Sequence, residues 1–191
     1  MVSRARVWLL DKVEEACPNL VFIGIQLCRA HHYPPTPGDA TDRGRGIGAH
    51  TDFGALTLLL QDNVGGLEVL HKPTGTWHHV TPIEGAYVIN IGDLMQRWTN
   101  DRYLSTMHRV MSPVSTRPRY SVAFFNDGAL DTTIEAIPTC VPAGEKPKYG
   151  PLKVEDHLVR RYRQSYSKGG ATIKTPTAKI DDSFQPQAIA A

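Results

Sequence analysis

Apolar and polar positions change period twice along the chain. Over residues 3–16, Val7, Leu10, Val13 and Ala16 recur at roughly helical spacing among charged residues, which predicts a short amphipathic helix ended at Pro18-Asn19. From Leu20 the pattern becomes one of short strands rich in Val, Ile, Leu and Phe, with turn residues about every ten positions. The first, Leu20–Tyr33, is stopped by Pro34-Pro35, which cannot donate to a ladder, and a Pro/Gly-rich loop, Pro34–Gly46, follows as a candidate gate. Gly65-Gly66, Pro73-Thr74-Gly75 and Glu84-Gly85 turn the chain before Leu67–Leu70, Trp77–Val80 and Tyr87–Ile91. The segment Leu94–Leu104 reads as irregular or briefly helical, and Thr106–Val110 and Arg119–Phe125 as a last pair of strands. About eight strands is the number of a double-sheet jelly roll.

After Gly128 the strand pattern fades. Val154, Leu158, Tyr162 and Tyr166 then recur every four residues, predicting a helix that Gly169-Gly170 ends, with Arg160, Arg161 and Arg163 on a solvated face. Residues 171–191 have few large apolar groups and no period, the composition of a disordered tail. The expected fold is therefore mainly β, a double-stranded β-helix (jelly roll) core with flanking helices at both ends. The expected organisation is a helix over 1–19, a domain over 20–168 and a tail over 171–191.

Composition narrows the function classes. At 191 residues one domain is expected, and 21 basic against 19 acidic residues, a net charge of +2, argue for no nucleic acid and no anionic membrane as partner. Cys17, Cys28 and Cys140 are widely spaced and odd in number, so they read as buried or inert thiols rather than a disulfide framework or zinc ribbon. With no run of about 18 apolar residues and no signal-peptide pattern in the first residues, a cytoplasmic protein is expected.

The chemistry gathers on Gly48-Ala49-His50-Thr51-Asp52. Read as a strand, it puts His50 and Asp52 on one face within reach of one metal ion, and the strand-like Met107–Val110 offers His108 as a third ligand. Two imidazoles and one carboxylate on one side of an ion suit Fe(II) and leave three positions open. In Arg119–Phe125, alternation puts Arg119, Ser121, Ala123 and Phe125 on one face. A guanidinium inside a barrel needs an anion: either an internal acid such as Asp93, or the far end of a dicarboxylate that Ser121 also holds. Beside an iron with open positions, the second partner is a 2-oxo acid that chelates through its C1 carboxylate and C2 carbonyl, with dioxygen in the remaining position.

Seven ordered stretches resemble the iron(II)- and 2-oxoglutarate-dependent dioxygenases of the isopenicillin N synthase-like branch, which includes plant flavonoid and fungal secondary-metabolism enzymes. They are Arg29–Pro35, Gly48–Thr57, Gly65–Val69, Asn90–Asp93, Trp98–Asn100, Ser105–Val110 and Arg119–Ser121. The similarity runs in register from about Leu27 to Phe125, with a weaker echo to Ser167. It implies His50, Asp52 and His108 as catalytic iron ligands, Arg119 and Ser121 as holders of the 2-oxoglutarate C5 carboxylate, and Tyr33 as a further donor to it. It also points to Phe125 and Arg29 as facing a small-molecule substrate.

Two departures from the family pattern are visible. The segment before Tyr33-Pro34 is short, where relatives carry a long region that helps to wall the substrate pocket; self-association through the surface so exposed is an expectation. The stretch between His108 and Arg119 is slightly long, and Arg117 competes for the anchoring role, although only Arg119 has Ser at i+2. The expected reaction couples 2-oxoglutarate decarboxylation to hydroxylation, desaturation or ring closure of a small organic metabolite. The competing expectations are a 2-oxoglutarate-independent iron oxidase of the same family and a truncated, catalytically impaired domain that binds iron and 2-oxoglutarate.

Overall fold

A computed structural model describes residues 25–35, 45–111 and 115–166. The helix expected over 1–19, the start of the first strand, most of the Pro34–Gly46 loop, the Gly169-Gly170 stop and the tail over 171–191 lie outside the described residues. Strands β1 (Ile25–Tyr33), β2 (Arg45–His50), β3 (Leu56–Gln61), β4 (Leu67–His71), β5 (Thr76–His79) and β6 (Tyr87–Ile91) lead into helix α1 (Asp93–Trp98). Then come β7 (His108–Met111), β8 (Arg119–Gly128), the short β9 (Thr133–Ile134) and β10 (Leu152–Lys153), and helix α2 (Val154–Tyr166).

Among the described residues eight strands form two antiparallel sheets, in the orders β1-β8-β3-β6 and β2-β7-β4-β5. This is the expected jelly roll, with one correction. β7 and β8 do not pair with each other: β8 lies between β1 and β3 while β7 lies between β2 and β4, so the connection after Met111 crosses from one sheet to the other. The short β9 and β10 add a two-stranded ribbon outside the core.

Strand alternation decides what enters the barrel. On β8, Arg119, Ser121 and Ala123 are buried while Tyr120 and Val122 between them are exposed. The register sets Tyr33 opposite Arg119, His31 opposite Ser121, Arg29 opposite Ala123 and Leu27 opposite Phe125, so the inward row of β1 faces that of β8. Cys28, expected to be buried or inert, falls between inward residues and is therefore exposed; Cys140 is half-buried, and both are free thiols. At one end of the barrel Tyr33, Leu67 and Val110 form an apolar cluster with Ile47, Leu59, Val80 and Val88.

A second apolar cluster lies at the helices. Val154 and Leu158 of α2 pack on Leu94 of α1 and Ile134, with Phe53, Trp98 and Tyr162 around them. This is the stripe that the four-residue spacing predicts. Between the two clusters the chain passes through Gly54 and Gly92. A Cβ on Gly92 would land on the carbonyl oxygen of Gly54, and one on Gly54 would land on the Asp127 carboxylate, so the backbones approach as closely as only glycine permits. Among the described residues no helix is long and apolar enough to cross a membrane.

Candidate active site

His50, the last residue of β2, pairs directly with His108, the first of β7, across the sheet. The sequence pattern puts Asp52 inside the β2 strand, but the strand ends at His50 and Asp52 lies two residues beyond it. Its main chain is taken instead by the start of α1: Asp93 N–H donates to the Asp52 carbonyl at 2.9 Å and Leu94 N–H to Gly54 at 3.0 Å. The carboxylate still meets the histidines, with Oδ1 3.5 Å from His50 Nε2 and 3.6 Å from His108 Nε2.

Each group in this cluster is oriented by a partner. His50 Nδ1 lies 2.8 Å from the Gly48 carbonyl and His108 Nδ1 3.1 Å from that of Thr106; a carbonyl only accepts, so Nδ1 carries the proton in both rings. Both Nε2 lone pairs then turn toward Asp52 Oδ1. Thr57 Oγ1 (2.5 Å) and Asn90 Nδ2 (2.8 Å) donate to Oδ2 and leave Oδ1 free to face the rings. Burial alone would raise the pKa of Asp52, but its interactions with His50 and His108, which favour the carboxylate whenever those rings are protonated, and the hydrogen bonds from Asn90 and Thr57 outweigh it and hold the carboxyl well below the usual range. Burial pulls His108 below the ordinary imidazole value, while His50 is raised, because Asp52 and Gly48 together overcome its burial. Two lone pairs and one anionic oxygen, all within 4.8 Å of one another, make a donor set that is repulsive alone and fits a divalent cation.

A cavity of about 180 Å³ runs from this cluster into the barrel and ends at Arg119. Arg119 is 1 % exposed. Its Nη1 donates to Ser121 at 3.2 Å and its Nη2 to Gln61 at 3.0 Å, and its guanidinium lies 4.9 Å over the Tyr33 ring. Arg119 Nε, Gln61 Nε2 and His31 Nδ1 are buried there without partners. Unmet buried donors beside a guanidinium cost about 1–3 kcal/mol each and fit a bound carboxylate. Asp93, the competing internal partner, is taken by Arg161 at 3.1 Å, and Arg117 turns outward to Asn63 at 3.2 Å.

A second cavity of about 180 Å³ opens on the other side of the cluster. Arg29, His50, Asp52 and Phe125 line both, so the candidate metal position is where they meet. Leu27, Phe53 and Tyr162 give the outer cavity an apolar wall, and Asp127 an acidic one. Burial, reinforced by the Asp52 charge and opposed by Arg29, pushes Asp127 up to about 6.

Several groups at the site escaped the reading of the sequence. Thr57 and Gln61 are the polar residues of an otherwise apolar β3 and share its parity, Asn90 interrupts the apolar run of β6, and His31 shares the strand parity of Arg29 and Tyr33. Arg161 and His157 had no such signal, since α2 shows only an ordinary polar face. Arg161, expected on solvated surface, instead reaches Thr51 and Asp93, and His157 is 7 % exposed with Nε2 donating to the Phe53 carbonyl at 3.0 Å.

Burial lowers His157 to about 4, against 6.5 for an ordinary histidine. The unfolded chain therefore takes up a proton near pH 6.5 that the folded chain refuses until about pH 4. This contribution to stability is complete above pH 6.5 and is lost as pH falls, by about 3 kcal/mol. Urea unfolding from pH 7 to pH 4 should show wild type losing about that much more than His157→Gln; equal losses would mean that His157 is not held neutral by the fold.

A double-stranded β-helix with two histidines and a carboxylate at the meeting of two cavities, and a buried arginine down one of them, is the arrangement of a candidate metal centre with an anion site beside it. The comparisons name the family. Residues 24–128 match the model of the 2OG-Fe(II) oxygenase superfamily, and the chain belongs to that superfamily. It is 50 % identical over 166 residues, 86 % of its length, to the 2-oxoglutarate-Fe(II) type oxidoreductase hxnY of Emericella nidulans, and covers 47 % of that protein. It is 44 % identical over 141 residues, 73 % of its length, to the 2-oxoglutarate-dependent dioxygenase citB of Monascus ruber, and covers 42 % of it. Among solved structures, a full-length Neurospora crassa protein in complex with alpha-KG and thymine superposes with a TM-score of 0.70 at 38 % identity, over 76 % of this chain and 46 % of that one. The rice dioxygenase for auxin oxidation superposes with a TM-score of 0.68 at 32 % identity, over 86 % and 56 %. The chain thus spans about half the length of the relatives it matches. The family's cofactor is Fe(II) and its co-substrate 2-oxoglutarate.

Proposed function

We propose that this chain carries the active site of a dioxygenase that couples oxidative decarboxylation of 2-oxoglutarate to oxidation of a small organic molecule. In this reading His50, Asp52 and His108 hold Fe(II); Arg119, Ser121 and Tyr33 hold the C5 carboxylate of 2-oxoglutarate; and Arg29 and Phe125 face the substrate in the outer cavity. The observation that carries it is Arg119, a guanidinium buried to 1 % exposure with a free donor, in the same cavity as the three convergent ligand atoms.

Iron(II), when bound, supplies the reductive activation of dioxygen that turns 2-oxoglutarate into succinate and carbon dioxide and oxidises a substrate C–H bond. The chain supplies geometry. Gly48 and Thr106 fix the histidine tautomers, and Thr57 and Asn90 keep Asp52 presenting one oxygen. Arg119 anchors the co-substrate at its far end, so that its keto-acid end points to the cluster, and the apolar walls of both cavities exclude water.

The 2-oxoglutarate-independent reading has less support, because the relatives are named for 2-oxoglutarate or solved with it, although Arg119 could equally hold a carboxylate of the substrate. A cytoplasmic setting fits the two free thiols among the described residues. Self-association is part of the proposal too, since Leu60, Tyr87, Ile89 and Val122 are exposed on neighbouring strands of the β1-β8-β3-β6 sheet. With Fe(II), ascorbate and 2-oxoglutarate, a metabolite screen should find compounds that stimulate succinate release, with none released by His108→Ala. Oxygen uptake without succinate would establish the independent oxidase instead, and succinate that no compound stimulates would establish the impaired domain.

A further inference from the structure

Asp52 is held by no strand ladder, since β2 ends at His50 and β3 begins at Leu56. Its carbonyl is held by Asp93 of α1 and its carboxylate by Thr57 and Asn90, while the residues on either side of it are held from α2. Arg161 Nη2 lies 2.9 Å from Thr51 Oγ1, 3.2 Å from the Thr51 carbonyl and 3.1 Å from Asp93 Oδ2, and its guanidinium stacks 4.7 Å over the Phe53 ring. One turn earlier on the helix, His157 donates to the Phe53 carbonyl, and Tyr162 meets the Phe53 ring edge-on at 5.4 Å. The Thr51 hydroxyl itself donates to Asp93 Oδ2 at 3.3 Å, and Asp93 N–H returns to the Asp52 carbonyl at 2.9 Å. The residues before and after Asp52 are thus both gripped by one helix, and Asp52 is gripped through Asp93.

From this geometry we infer that Arg161 is a positioning residue for Asp52. Its guanidinium fixes the Thr51–Phe53 turn and thereby the direction from which the carboxylate meets a metal ion. Three features favour this over a simple staple between α2 and the core. The Asp93 side chain is 1 % exposed, and Arg161 is the only cation among the described residues in an ion pair with it. Two of the three polar contacts of Nη2 go to Thr51, the residue between two candidate ligands, rather than to Asp93. The same helix puts Tyr162 and Ser165 into the wall of the outer cavity, so its seating sets that wall and the ligand together. One nitrogen, Nη2, meets a carbonyl, a hydroxyl and a carboxylate while the guanidinium plane stacks on an aromatic ring, and a lysine ammonium, which has no plane to stack, does this only in part.

The inference rests on the metal-site reading, and Co(II) is a probe that separates the two. Partners that orient a metal ligand are typically worth roughly 10–100-fold in affinity. Arg161→Gln should therefore weaken Co(II) binding by about 10-fold or more and change the intensity of the visible d–d bands, which report coordination geometry. Arg161→Lys should recover part of both. Thr51→Val, which removes only the hydroxyl, should move the bands in the same direction by less, whereas Arg163→Gln on the same helix should leave them alone. Apo melting curves recorded alongside measure folding. If Arg161→Gln lowers the melting temperature but binds Co(II) with wild-type affinity and bands, Arg161 is only a staple and the inference is wrong. If Arg161→Gln does not fold, Thr51→Val decides: shifted bands support the inference and unchanged bands overturn it. A wild-type chain that takes up no Co(II) would overturn the metal-site reading itself, and this inference with it.

Discussion

Replacing His108 with alanine should leave the protein without stoichiometric iron after dialysis, the largest effect expected of any single change. The ring offers one of three converging candidate ligand atoms, and its Nε2 faces Asp52 Oδ1 at 3.6 Å while Nδ1 is tied to the Thr106 carbonyl. Losing a ligand outright should exceed the roughly 10–100-fold that loss of an orienting partner costs. The fold should survive, since His108 is the first residue of β7 and the strand keeps its pairing through Val110 and Met111. Metal analysis beside a circular dichroism spectrum checks both halves. Undiminished iron in a folded His108→Ala protein would rule out the triad.

Arg119→Ala should weaken 2-oxoglutarate by about 2–4 kcal/mol, or roughly 30- to 1000-fold. The size follows from burial: a charge-assisted pair is lost from a site out of water, and the incoming carboxylate is left unpaired. Arg119→Lys should recover only part, because an ammonium cannot present two parallel donors. Arg117→Ala should change little, since Arg117 points outward to Asn63. Anaerobic titration of the Fe(II) protein measures all three. Wild-type affinity in Arg119→Ala with loss of binding in Arg117→Ala would reverse the assignment.

Much of this architecture was legible in the sequence because strand parity is strict. Period-two alternation puts Arg119 and Ser121 inside and leaves Arg117 to the loop, and a four-residue period places Val154, Leu158 and Tyr162 on one stripe of α2. The same rule applied to β1 would have placed Cys28 outside once Arg29 was read as inside. What parity cannot supply is pairing between distant elements. Nothing local tells that β7 and β8 belong to different sheets, or that Asp93 goes to Arg161 rather than Arg119. The partners Thr51 and Arg161 are 110 residues apart, and an arginine on the polar face of a helix looks the same whether it meets water or a buried carboxylate. The end of β2 at His50 was hidden for a related reason, since it depends on α1 capturing the main chain of Asp52 and Gly54.

His50 stands directly opposite His108, yet the chain between them carries β3 to β6 and α1. Among the described residues β2 is also an edge strand, paired only with β7. A cation gripped by both imidazoles would act as a rivet there, closing that long stretch into a ring and fastening the sheet margin that hydrogen bonding secures on one side alone. Loading and rigidity then become one property: by mass action the ion adds to the resistance of the folded chain, and a chelating buffer would loosen β2 before it disturbed the rest of the barrel. Two preparations of identical sequence could thus differ in toughness through their iron content alone.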